Sequence, residues 1–174
     1  FIKAYKNFVN TGWFSIIGQK KYGGQDLPLS AVVMINEIWH STNMSFATNN
    51  MLTQGAVELL ESHGNEKQKE YYLPNLISGK WSGTMNLTEP HAGSDLSSIK
   101  TKAIEKDKKF LIKGTKIYIT HGDQDMSDNI IHLVLAKLPN APEGVRGISL
   151  FLVPKYFLND KGTKVKNDIK VVSI

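Results

Sequence analysis

Gly79-Lys-Trp-Ser-Gly-Thr-Met-Asn-Leu-Thr-Glu-Pro-His-Ala-Gly-Ser-Asp95 is the stretch on which the fold turns. Ahead of Lys80, apolar residues recur at helical spacing. Beyond it they alternate or run in short β-branched blocks, the period of strands. The chain therefore reads as a helical half followed by an antiparallel β half, an α+β protein with segregated elements. The expected boundary divides residues 1–79 from residues 80–174.

On the helical side, Leu29 to His40 carries a helical apolar spacing, and Pro28 suits its start. A second helix is expected from Asn43 to Ser62, with Gly55 marking close packing and Gly64 as the stop. Asn65 opens a third helix: its side chain can cap, and Gln68 stands three residues on, as a capping box requires. That helix is expected to break at Pro74, and Gly79 closes the helical half.

On the other side, Gly83 to Thr88 reads as a strand. Thr101 to Glu105 and Phe110 to Lys113 read as a hairpin around the charged turn Lys106-Asp-Lys-Lys109. Strands are also expected over Thr115 to Thr120, Ile130 to Lys137 and Ile148 to Val153. The proline- and glycine-rich Leu138 to Gly147 reads as a surface loop.

Thr88 to Asp95 is where chemistry would sit. Pro90 and Gly93 force an irregular path, and Leu96-Ser-Ser-Ile99 can start a short helix behind it. Successive exposed N–H groups in such a turn make an anion-binding concavity, and a helix start adds positive dipole. A turn that merely caps a helix has the same appearance. Tyr118 and Thr120 stand two apart on the expected strand Thr115–Thr120, so both would face one side. A flat ring could lie there with Thr120 donating to its edge; half-buried strand packing of Tyr118 is the plainer reading.

Composition narrows the classes. The chain has 174 residues, 41% hydrophobic and 21% charged, which suits a packed core. Its formal charge of +5 favours a phosphorylated ligand or acidic partner without arguing for nucleic acid. With no cysteine, disulfide scaffolds, thiolate metal sites and cysteine nucleophiles are excluded. The histidines at 40, 63, 91, 121 and 132 lack ligand spacing, and the aspartates of His121 to Asp128 do not match a calcium loop, so no metal is expected. No apolar run reaches the roughly 18 residues of a membrane span. Phe1 to Val9 reads as mid-helix and Val171 to Ile174 as a strand, so both ends read as cut.

The two motifs taken together, Thr88-Glu-Pro-His-Ala-Gly-Ser-Asp95 and then Gly114-Thr-Lys-Ile-Tyr-Ile-Thr120, resemble those of the acyl-CoA dehydrogenases. The likeness extends through Tyr22-Gly-Gly-Gln-Asp26, Tyr71-Tyr-Leu-Pro-Asn-Leu-Ile-Ser-Gly79 and Gly147-Ile-Ser-Leu-Phe-Leu-Val-Pro154. It implies a partial N-terminal helical domain, then a β-barrel or sandwich middle domain with the flavin loops, with a C-terminal helical bundle lying beyond this chain. Met85 to Thr88 would line the flavin ring of FAD, with Leu87 and Thr88 bonding its pyrimidine side. Gly93 and Ser94 belong to the loop where the flavin pyrophosphate and the CoA ligand meet, so Ser94 would also touch substrate. Tyr118, where the family often has tryptophan, would pack on the flavin, followed by Ile119, and Thr120 would bond near N5. Glu89 would fix the loop rather than do chemistry.

The implied reaction is α,β-dehydrogenation of an acyl-CoA thioester, with hydride passing to flavin N5, an oxidoreductase of fatty acid metabolism. The resemblance puts the catalytic base in the C-terminal domain, so no catalytic residue is assigned here and the isolated chain is expected to be inactive. The loop Leu138 to Gly147, with Met85-Asn-Leu-Thr88, is similar to the 3-(methylthio)propanoyl-CoA dehydrogenase subgroup. Expected partners are an acyl-CoA and an electron-transfer flavoprotein, in a homodimer or homotetramer, with neither membrane nor nucleic acid. A bacterial cytoplasm is the simplest location, the mitochondrial matrix the other. Two alternatives share the fold: a flavoprotein oxidase or monooxygenase, and a flavin-binding homologue with a mainly binding, DNA-associated role.

Overall fold

Ala47, Asn50, Thr53, Val57 and Leu60 are all buried and stand three or four residues apart. That spacing is one stripe of a 3.6-residue period, and it makes this stretch an amphipathic helix. The computed structural model describes residues 1–159, 161 and 163–173. Its helices are α1 (Ile2–Asn10), α2 (Leu29–His63) and α3 (Glu66–Ile77). Its strands are β1 (Trp81–Asn86), β2 (Lys102–Lys106), β3 (Lys109–Lys113), β4 (Asn129–Lys137), β5 (Ile148–Pro154), β6 (Tyr156–Leu158) and β7 (Lys164–Lys166). Among the described residues no helix is long and apolar enough to cross a membrane.

The chain forms two compact units that are not contiguous in sequence. The first holds residues 1–84, 120–131 and 154–174; the second holds 85–119 and 132–153. Of the expected domain 80–174, residues 160, 162 and 174 lie outside the described residues.

In the first unit, α2 is broken where the sequence suggests two helices. Asn43 leaves helical geometry at φ −155° and ψ 91°, and its Oδ1 accepts the Phe46 N–H at 3.1 Å, capping the second arm. Asn36 Nδ2 donates to Gln54 Oε1 at 3.0 Å across the break. Gly55 does not mark close packing: it is exposed with open space around it, and the tight approach is one residue on, where a Cβ at Gly83 would come within 2.6 Å of that of Ala56.

The capping box forms as expected at the start of α3, with Asn65 Oδ1 accepting from Gln68 N–H and Gln68 Oε1 from Asn65 N–H, both at 2.9 Å. The expected break at Pro74 is wrong. α3 runs through it to Ile77, and Ser78 N–H still bonds the Pro74 carbonyl at 3.2 Å. Proline forfeits one helical donor, but Leu73, Leu76 and Ile77 are buried around it, and their burial offsets the cost. The helix ends at Gly79, whose φ of +73° favours glycine, and a Cβ there would strike Phe14 at 2.7 Å. Tyr5 completes that corner, its hydroxyl donating to the Gly79 carbonyl at 2.7 Å and its ring edge-on to Phe14. β6 and β7 pair antiparallel, with Phe157 opposite Val165.

The other strands form a five-stranded sheet in the order β1-β4-β2-β3, with β5 also paired to β4. In the second unit, β2 and β3 are the expected antiparallel hairpin, Ile104 opposite Leu111. Phe110 lies against Phe151 of β5 at 5.1 Å between ring centroids. The α+β class holds, with two corrections. The sheet is mixed, because β2 pairs parallel to β4 through Lys102 and Lys137. The strand path is also open, not a closed barrel. Thr115 to Thr120 is not a strand, and Val171 to Ser173 take no strand conformation; Ile174 lies outside the described residues.

Candidate functional site

The chain leaves β1 at Asn86, and the next residues close on themselves. Glu89 N–H donates to the Ala92 carbonyl at 2.8 Å and Ala92 N–H returns to that of Glu89 at 3.0 Å. Pro90 and His91 are thereby held at the tip of a tight turn. The Glu89 side chain points the other way, inward, and is 2% exposed. Its Oε2 accepts from Lys100 N–H at 2.7 Å. Its Oε1 accepts from Thr101 N–H at 3.1 Å, the Thr101 hydroxyl at 2.5 Å and Lys116 Nζ at 2.9 Å. His91 Nε2 lies 3.4 Å from Oε2 and 3.2 Å from the Ser98 carbonyl.

Burial pushes the Glu89 carboxyl up, but hydrogen bonds to the Thr101 hydroxyl, the Lys100 N–H, Lys116 and the Thr101 N–H together hold it at about 2. It is therefore a permanent anion at neutral pH. A base that takes a proton needs a free lone pair and a pKa nearer the working pH, so Glu89 is a clamp.

The second motif is fastened to the first. Lys116 Nζ, on a side chain 8% exposed, donates both to Glu89 and to the Leu87 carbonyl, the latter at 2.9 Å. One residue on, Ile117 N–H donates to the Thr88 carbonyl at 3.0 Å. Those bonds, not a strand ladder, hold residues 116 and 117. Glycine is required just before them, since a Cβ at Gly114 would meet Thr101 Oγ1 at 2.1 Å.

Tyr118 corrects the same-face argument. Its φ is +56°, outside the β region, so no alternation of faces applies to Tyr118 and Thr120. Its ring is 88% exposed. A non-glycine residue held at positive φ is strained by about 1–3 kcal/mol and persists only where its surroundings impose it. Here the bonds of Lys116 and Ile117 just ahead of it do so.

Met85, Leu87, Thr88 and Ile119 are half-buried, whereas Gly93 and Ser94 are exposed. The structure brings Leu87 and Thr88 together with Lys116 and Ile117 through direct bonds. Thr120 is exposed and belongs to the first unit. With the Leu87 and Thr88 carbonyls committed to Lys116 and Ile117, the loop is left with donors to offer. The Thr88 hydroxyl makes no hydrogen bond among the described residues. Gly93 has no crowding to explain it, as a Cβ would meet only Thr88 Cγ2 at an ordinary 3.7 Å. Asp95 then caps the short turn Leu96–Ser98, accepting from Ser97 N–H at 2.9 Å and the Ser98 hydroxyl at 3.0 Å.

Lys116 and Thr101 were missed as site-forming residues. The signal for Lys116 was present: a cation beside Ile117 in one motif, and a carboxylate between Thr88 and Pro90 in the other. Thr101 left no comparable mark.

Residues 2–80 match the model of the acyl-CoA dehydrogenase N-terminal domain, and residues 84–173 that of the acyl-CoA dehydrogenase middle domain. The 3-methylmercaptopropionyl-CoA dehydrogenase of Ruegeria pomeroyi is 49% identical over 173 residues, covering 98% of this chain and 29% of that protein. The chain thus spans under a third of the length of that relative. Among solved structures, an acyl-CoA dehydrogenase from Geobacillus kaustophilus is similar at a TM-score of 0.77 and 30% identity, over 87% of this chain and 39% of that one. An acyl-CoA dehydrogenase complexed with FAD from Bacillus anthracis is similar at 0.75 and 28%, over 88% of this chain and 25% of that one.

Proposed function

The chain belongs to the acyl-CoA dehydrogenase family, and on that premise we propose that residues 85–94 and 118–120 form the protein side of an FAD site in an enzyme that dehydrogenates an acyl-CoA between Cα and Cβ. The observation that carries the reading is the fastening of Thr88 to Ile117, which sets a strained, outward-facing Tyr118 ring beside a loop whose carbonyls are tied down. FAD, when bound, would supply the redox chemistry as hydride acceptor.

The residues present fit that group. Tyr118 offers an exposed aromatic face, Thr88 an unused hydroxyl, and Gly93 a loop surface without a side chain, over which a ligand can approach closely. Leu87 and Thr88 would donate to the pyrimidine edge. Donors fixed before reaction stabilise charge growing there without reorganisation, each worth about 2.7–4 kcal/mol. Ser94 would stand where cofactor and CoA meet, Met85 and Ile119 would give apolar contact, and Thr120 would bond near N5.

The catalytic base falls outside this chain, since the one carboxylate inside the first motif's turn is locked as an anion. The 174 residues alone are therefore inactive in this reading, with 1–79 and 80–174 as parts of two domains. Electron-transfer flavoprotein as acceptor, a homodimer or homotetramer and a bacterial cytoplasm complete it.

The test uses the full-length protein that carries this chain. It should purify yellow, and an acyl-CoA should bleach the flavin band anaerobically. A colourless protein that takes up no FAD sinks the proposal. Flavin that no acyl-CoA reduces points to a binding role, and rapid reoxidation by air to an oxidase. Thr120→Val should weaken flavin retention or slow reduction; an unchanged enzyme removes Thr120 from the site.

A further inference from the structure

Lys100, Lys102 and Lys137 border a groove of about 710 Å³ in the second unit, whose lining includes Ile99, Ile104 and Leu138 and no carboxylate. Lys100 and Lys102 are exposed and have no ion-pair partner among the described residues. Lys137 donates to the Ser97 carbonyl at 2.6 Å. Ile104 is 54% exposed and Leu138 37%, so the apolar side is open to a ligand.

The walls are built in advance. Lys100 N–H is held by Glu89, Lys137 N–H bonds the Thr101 carbonyl at 2.9 Å, and Lys102 pairs with Lys137 in parallel register. The same Glu89 clamp that shapes the Thr88 loop thus fixes the backbone of this groove. Asp95 is the nearest counter-charge to emerge: its carboxyl is held below the usual range first by Ser97 and Ser98, with a smaller contribution from Lys137.

Three ammonium groups around apolar aliphatic side chains repel one another unless an anion of more than one charge joins them. Lysine suits phosphate as a point charge, and a flat ring suits the Ile and Leu surface. The volume is that of an ordinary small-molecule site. We propose that this groove takes the 3′-phosphorylated ADP end of acyl-CoA, with the purine on Ile99, Ile104 and Leu138 and the phosphates toward Lys100 and Lys102. The proposal rests on the acyl-CoA reading above and extends it to a nucleotide subsite.

The experiment compares kcat/KM for an acyl-CoA and for the matching acyl-pantetheine, which lacks the nucleotide, in the full-length protein and its Lys100→Ala/Lys102→Ala variant. Taking the ratio within each protein cancels differences in active fraction. The ratio should fall about tenfold in the variant, chiefly through KM. The 3′-dephospho substrate should lose part of the wild-type advantage, and added salt should erode it. An unchanged ratio overturns the proposal. So does a variant that sheds FAD while keeping the ratio, since the groove would then serve the cofactor. If no acyl thioester reduces the full-length protein, the dehydrogenase reading fails separately, and titration with adenosine 3′,5′-bisphosphate decides the groove. Binding that needs the two lysines sustains it; no binding, or binding that ignores them, ends it.

Discussion

Lys116 and Glu89, 27 residues apart in sequence, meet at 2.9 Å with almost no solvent on either side chain. One ammonium thereby ties the turn of the first motif to the second and also restrains the Leu87 carbonyl.

Removing that ammonium should be costly. Lys116→Met leaves a buried carboxylate without its cation, and a broken buried pair destabilises by about 3–5 kcal/mol. Urea unfolding should show the midpoint fall, and in the full-length protein flavin retention should drop with it. The double variant Lys116→Met/Glu89→Met should recover part of the loss, a coupling read from the double-mutant cycle. Additive losses would mean that the pair does not act as a unit.

The acid arm of stability should carry Glu89. Its folded pKa of about 2 lies below the ordinary value of 4.5. A depressed acid lends stability above its unfolded pKa and loses it as pH falls through the folded one. The contribution, on the order of 3 kcal/mol, should thus be complete above about pH 5 and disappear toward pH 2. Glu89→Gln should flatten the stability profile in that window, and an unchanged slope would contradict the clamp.

Asn65→Ala should remove the first cap of α3 and cost about 1 kcal/mol. Gln68→Ala should cost less, since it spares the Asn65 acceptor. Equilibrium denaturation of both variants checks the order.

Tyr118→Gly separates stability from binding. Glycine relieves the positive φ but adds freedom to the unfolded chain, so stability should change by less than about 1 kcal/mol. Flavin retention in the full-length protein should nevertheless fall, because the exposed ring is gone. Full retention would show that the ring does not meet the cofactor.

What the sequence revealed was what short-range rules govern. The Asn65–Gln68 box, the helix start at Asn43 and the β2–β3 hairpin each depend on residues within a few positions. The hairpin even forms without glycine: Asp107 and Lys108 both take positive φ, 51° and 60°, as a two-residue turn demands. What stayed hidden was set at long range. Pro74 reads as a breaker until the burial of Leu73, Leu76 and Ile77 is known. Thr115 to Thr120 reads as a strand because alternation says nothing of Lys116 reaching Glu89 and Leu87. The parallel pairing of Lys102 with Lys137 joins segments whose local patterns specify no direction. At the site, the loop and Tyr118 were legible as types of residue, whereas the clamp that positions them was not.

The break at Asn43 also fixes a direction of travel. In a straight helix, Asn36 and Gln54 would lie about 27 Å apart along the axis. Their side chains instead touch at 3.0 Å. The two arms of α2 must therefore double back as a helical hairpin, with Asn43 as its corner. A substitution that allowed residue 43 to continue the helix would have to swing one arm through most of a half-turn and part that bond. The corner thus decides which way the first 42 residues return.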